Sequence, residues 1–137
     1  MLLWMALACG KSNINLDDFE RLDIFCDSEG EAYVTEEIDG GAIGNSGRLE
    51  AQLMSNADYP RELEHIANAT YILENLDVGG GESLGQASPL GEIETTRGEG
   101  NWLMRIEGPT GCVGEVTFEI VAATTLKMCI PVTCEIE

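Results

Sequence analysis

The sequence predicts an all-β protein, an antiparallel β-sandwich with room for one short helix. Three observations carry this expectation. Apolar and polar residues alternate with a period of two in several short stretches, so each can bury one face and wet the other. Clusters of Gly, Pro and Asn separate these stretches at intervals of about 8–12 residues, the spacing of sandwich and barrel strands. No heptad or internal repeat is visible, and 137 residues suffice for one domain with a core but not for two.

Taken in order, RLDIF from Arg21 is the first candidate strand. EAYVTEEI follows, with Ala32, Val34 and Ile38 on one face and Tyr33, Thr35 and Glu37 on the other. DGGAIGNSG, from Asp39 to Gly47, is a glycine-rich turn. RLEAQLM then groups Leu49, Ala51 and Leu53. A strand is expected from Ala69 to Leu76, and the preceding segment around Leu63, Ile66 and Ala67 has the spacing of a short helix. GGGESLGQASPLG, from Gly79 to Gly91, reads as a long loop. In NWLMRIEG the stripe Trp102, Met104, Ile106 faces inward; in VTFEIVA it is Val116, Phe118, Ile120; in LKMCIPV it is Leu126, Met128, Ile130. A sandwich of jelly-roll or immunoglobulin-like kind fits this series. The stretch EGNWLMRIEGPTGCVGEVTFEI, from Glu99 to Ile120, resembles the closing strands of extracellular jelly-roll modules of the proprotein-convertase P-type and prepeptidase C-terminal families. That resemblance implies a non-catalytic module that packs on a partner or binds an extracellular polymer.

The opening MLLWMALA is apolar and uncharged, and Cys9 and Gly10 follow it. Spanning a bilayer takes about 20 such residues; this run suits the apolar part of a secretory signal peptide. Ala6-Leu7-Ala8-Cys9 resembles the lipobox of bacterial lipoproteins. The resemblance implies that residues 1–8 are removed, that Cys9 is lipidated, and that the membrane is engaged through that anchor alone. Residues 9–20, polar and without periodicity, would be the lipidated cysteine and its tether, and residues 21–137 a single domain.

Four cysteines then remain, Cys26, Cys112, Cys129 and Cys134, an even number that suggests two disulfides in an exported chain. A hairpin of VTFEIVA and LKMCIPV folded about Ala123 puts Cys112 opposite Cys134 and leaves Cys26 for Cys129. The rival is a local Cys129–Cys134 bridge around Pro131, with Cys26 joined to Cys112. Metal ligation by these cysteines is disfavoured, because there is no CxxC pair and His65 is the single histidine.

Charge narrows the partners. Asp and Glu number 25 against 7 Lys and Arg, a net charge of −18, which repels nucleic acid and anionic lipid headgroups. Ten carboxylates and one base, Arg21, lie between Asp17 and Asp39. Within them Asp27, Glu29 and Glu31 surround Gly30 as a candidate Ca²⁺ loop, although Ala32 stands where an EF-hand loop needs Gly. A solvated acidic turn is the plainer reading. His65, flanked by Glu62 and Glu64, has the chemistry of a general base but no nucleophile beside it in sequence, so a structural role is expected. Asn68-Ala69-Thr70 forms a glycosylation sequon with no meaning in a bacterial lipoprotein. Trp102, in phase with Met104 and Ile106, reads as core rather than as a sugar-stacking platform. No GxSxG elbow is present.

The expectation is therefore a non-catalytic, extracytoplasmic binding or structural domain of an envelope-anchored lipoprotein, with a protein or extracellular polymer as partner. No cofactor is expected; Ca²⁺ at the acidic loop is the one candidate. The rivals are a Ca²⁺-dependent adhesion module and a small secreted hydrolase.

Overall fold

Alternation becomes strand wherever a second surface can cover the apolar stripe. The computed structural model describes residues 22, 24, 26, 31–58, 60–79 and 82–134. The elements are β1 (Tyr33–Asp39), β2 (Ser46–Ser55), α1 (Arg61–Ile66), β3 (Thr70–Asn75), β4 (Glu82–Gln86), β5 (Glu92–Gly98), β6 (Gly100–Glu107), β7 (Val113–Ile120) and β8 (Thr124–Val132). They form two four-stranded sheets, ordered β1-β8-β2-β5 and β4-β3-β6-β7. Every neighbouring pair is antiparallel except β2 and β8, which run parallel. The expected all-β sandwich is the observed fold.

The core lies between the sheets. From the first come Leu49, Ala51 and Leu53 of β2, aligned in register with Leu126, Met128 and Ile130 of β8. From the second come Tyr71 and Leu73 of β3, Trp102, Met104 and Ile106 of β6, and Val116, Phe118 and Ile120 of β7. These are the stripes that period two selects. Trp102 is core, and its indole N–H donates to the carbonyl of Gly98 at 3.0 Å, which satisfies the one polar atom it would otherwise bury. Each fully buried Leu, Ile or Met contributes about 1.5–3 kcal/mol of burial free energy, so the interleaved stripes are the main source of stability. The outer face of the first sheet is polar. Arg48 pairs with Glu50 at 2.8 Å and with Glu94 at 2.5 Å, and Lys127 lies 3.8 Å from Glu50. The hydrogen bond that Arg48 donates to the Glu50 carboxylate is the main reason that its guanidinium holds its proton more tightly than usual.

Two disulfides are present, Cys26–Cys129 and Cys112–Cys134, with Cα separations of 5.9 and 4.3 Å. The pairing is the one expected from the sequence, but the hairpin behind it is not formed. β7 and β8 enter opposite sheets, and the corner between them carries Ala123 at φ 59. Only their far ends meet again. Val113 and Thr133 form an antiparallel bridge, the N–H of each donating to the carbonyl of the other, and the Cys112–Cys134 bond sits beside it. Gly114 permits this approach: a Cβ there would lie 2.6 Å from the carbonyl oxygen of Pro131.

Other expectations need correction. The apolar face assigned to Val34 and Ile38 is not buried, since the two residues are 51% and 38% exposed. A bulge between Val34 and Glu36 shifts the register of β1 on β8. Cross-strand partners share a face, so Val34, opposite Met128, points to the inner side, whereas Ile38, opposite Thr125, points outward. Glu37, opposite Leu126, takes the inner side instead. The expected loop from Gly79 to Gly91 contains β4, an edge strand whose Leu84 is 72% exposed. β4 holds glycine where the ring of Tyr71 lies against Gly85, in space that any Cβ would occupy. β5, EIETTRG, is too polar to announce itself in the sequence, yet its Ile93 and Thr95 are buried. The short helix is present as α1. Of the RLDIF stretch only Leu22 and Ile24 are described, and the Leu22 amide donates to Glu92 Oε2 at 3.1 Å. Cys9, the signal-like segment and the tether lie outside the described residues.

Candidate binding groove

The parting of β7 and β8 leaves one side of the sandwich open. β1 is an edge of the first sheet and β7 is an edge of the second, and they stand across from each other without pairing. Between them lies a hollow of about 330 Å³, lined by Tyr33, Val34 and Glu37 of β1 and by Val116 to Glu119 of β7. A larger, open hollow of about 1010 Å³ over the second sheet adjoins it, and the two make one groove that shares Ala32, Val116 and Thr117. The larger part extends from Thr70 and Ile72 of β3 across Arg105 and Glu107 of β6 to Val113 and Glu115 of β7 and on to Glu31, and the smaller over Val34, Glu37, Phe118 and Glu119. Core residues form the floor of the smaller part. Phe118 is 8% exposed and Leu126 is 5% exposed, whereas Leu49, on the closed side of the same core, is 0% exposed.

The orientation of the β7 edge follows from the Val113 bridge. In an antiparallel ladder a residue's N–H and C=O point to the same side, and that side alternates along the strand. Val113 uses both groups toward Thr133. Glu115, Thr117 and Glu119 therefore present their N–H and C=O groups to the groove side, and β6 takes the intervening ones. Their side chains are exposed on the outer face, while Val116 and Phe118 point inward.

The groove is acidic. Glu31, Glu37, Glu107, Glu115 and Glu119 line it, all exposed. Arg105 is the single base among the described lining residues, and it is engaged by Glu74 at 3.3 Å and by Glu82 at 2.6 Å.

Of the candidate Ca²⁺ loop only Glu31 is described, exposed at the groove mouth; Asp27 and Glu29 lie outside the described residues. His65 is buried away from the groove. Its Nδ1 shares a hydrogen bond of 2.7 Å with the hydroxyl of Thr110, which in turn lies 3.2 Å from Cys112 Sγ. Its Nε2 has no hydrogen-bond partner among the described residues. One imidazole nitrogen and the sulfurs of Cys112 and Cys134 fall within 4.8 Å of one another, a grouping invisible in the sequence, where His65 lies far from both cysteines. Both sulfurs are committed to the disulfide, and metal ligation requires thiolates, so the trio is structural in this state.

Fold and groove together define a disulfide-bonded β-sandwich with one open side. Compared with known protein families and with curated proteins, the chain matches none. Two disulfides mark an oxidising, extracytoplasmic environment. No helix among the described residues is long and apolar enough to cross a membrane.

Proposed function

We propose that the protein is a non-catalytic binding domain working outside the cytoplasm, held to the cell envelope by lipid on Cys9, with the groove between β1 and β7 as its binding site. The observation that supports this reading best is the groove itself. It combines an apolar floor, strand-edge groups unpaired among the described residues and a predominantly acidic rim, the elements of a recognition surface. Among the described lining residues no carboxylate is hydrogen-bonded to a hydroxyl side chain, and His65 is buried outside the groove. The lipobox-like Ala6-Leu7-Ala8-Cys9 and the oxidised cysteines agree with export.

Two measurements test this. Intact mass of the membrane fraction should show a mature protein that begins at acylated Cys9; an unprocessed Met1 on a soluble protein would remove the anchor from the proposal. A photo-crosslinking residue at Val113, in the groove, should give a defined adduct in the native envelope. The same residue at Leu84, on the opposite edge, should give none. Equal labelling from both positions would refute the groove as the site.

A further inference from the structure

We infer that the groove recognises an extended, cationic polypeptide segment, which adds as a strand to the edge of β7 that is unpaired among the described residues. This rests on the binding reading above and specifies its partner. β7 is already paired on that side at one point, by the Val113–Thr133 bridge. Beyond the bridge, the backbone groups of Glu115, Thr117 and Glu119 continue the same edge into the groove. A strand laid along them would prolong a ladder that has begun, and main-chain hydrogen bonds would supply affinity irrespective of sequence.

Side-chain preference follows from the pleat. Residues opposite Glu115, Thr117 and Glu119 share their outer face, so the segment should carry Lys or Arg opposite the two glutamates, four positions apart. Residues opposite Val116 and Phe118 share the inner face, so the intervening positions should be apolar and fill the gap toward Val34. Glu31, Glu37 and Glu107 add negative charge around the site. The pattern sought is basic-apolar-polar-apolar-basic.

Two other occupants fit poorly. A second copy pairing β7 to β7 about Thr117 would set Glu115 directly against Glu119, twice, and like charges opposite each other destabilise a ladder. The chain's own stretch from Gly10 to Glu20 holds three carboxylates and one Lys, the wrong sign for this rim. Charged edges also guard strands against unwanted pairing, and that protective role is the alternative to recognition.

The test uses the full-length protein and the synthetic peptide Gly-Lys-Val-Thr-Val-Lys-Gly, titrated by calorimetry at low and at physiological salt. Saturable one-to-one binding is expected. A peptide with Glu in place of both Lys should bind at least about tenfold more weakly, and the doubly reversed variant Glu115→Lys/Glu119→Lys should invert that preference. Thr117→Pro removes an amide that faces the groove rather than β6, a position where an edge strand tolerates proline. It should weaken the Lys peptide at least about tenfold through the lost main-chain bond. Binding that survives Thr117→Pro but disappears with salt would overturn strand addition in favour of diffuse attraction to an acidic surface. Binding of neither peptide, with crosslinks still formed at Val113, would overturn the cationic segment while leaving the groove as a binding site. If Thr117→Pro does not fold, the charge-reversal pair decides.

Discussion

Removing each disulfide in turn separates chain entropy from packing as the source of its contribution. Cys26–Cys129 closes a loop with a sequence separation of 103, and Cys112–Cys134 one of 22. The loop-closure relation gives about 4.7 kcal/mol for the first and about 3.4 kcal/mol for the second at 25 °C. Each bond changes the other's effective loop little, because the route from Cys26 to Cys129 through the second bridge is still about 90 residues long, which alters the logarithm by a few per cent. Cys26→Ala/Cys129→Ala should therefore cost roughly 1.3 kcal/mol more than Cys112→Ala/Cys134→Ala. Burial points the other way, since both Cys112 and Cys134 are buried whereas only Cys129 of the long-range pair is. Urea unfolding of the two variants under non-reducing conditions, compared at equal m-value, gives the difference. A larger loss on removing the short-range bridge would refute the entropic account and assign that bond's effect to its packing beside His65 and Thr110.

Phe118→Ala should cost about 3–5 kcal/mol, and Thr117→Ala, exposed one residue away, within about 0.5 kcal/mol. Equal losses in thermal unfolding would show that the face of β7 is misassigned. Asp77 accepts hydrogen bonds from the Asn101 side chain at 3.0 Å and from its backbone amide at 2.8 Å, and these hold its carboxyl below the ordinary range. A depressed folded-state value adds stability above the unfolded value and loses it as pH falls through the folded one. Wild type should therefore be more stable than Asp77→Asn at neutral pH and converge with it in acid; a gap unchanged across that range would contradict the assignment.

The strands most legible in the sequence were β2, β6 and β7, whose alternation is uninterrupted from Leu49 to Leu53, Trp102 to Ile106 and Val116 to Ile120. Period two reports burial on one face, and these strands have it. It misled at β1, because a single bulge after Val34 reverses the faces of everything that follows. It was silent at β5, where Glu92, Glu94 and Arg97 surround Ile93 and ladder bonds to β2 hold the strand. At β4 a glycine that accommodates the Tyr71 ring resembled a glycine that makes a loop. The groove was illegible for a different reason. It exists because β7 and β8 part at Ala123 into opposite sheets, and no alternating pattern says which sheet a strand joins. The cysteine pairing was nevertheless recoverable, since both the expected hairpin and the observed corner fold the chain about Ala123 and bring Cys112 to Cys134.

The Cys26–Cys129 bond has a mechanical consequence. Tension applied at the N-terminus passes along the backbone to Cys26 and there divides. One covalent route crosses the sulfurs into β8, which is flanked by β1 and β2. The other follows the chain into β1 and can lengthen only as far as the bridge allows. Among the described residues β1 hangs by a single ladder, and it would otherwise peel away bond by bond. With the bridge closed, the pull reaches a strand with a ladder on each side, and these must shear together. The protein should therefore resist extension from its N-terminus strongly when oxidised and weakly once that single bond is reduced.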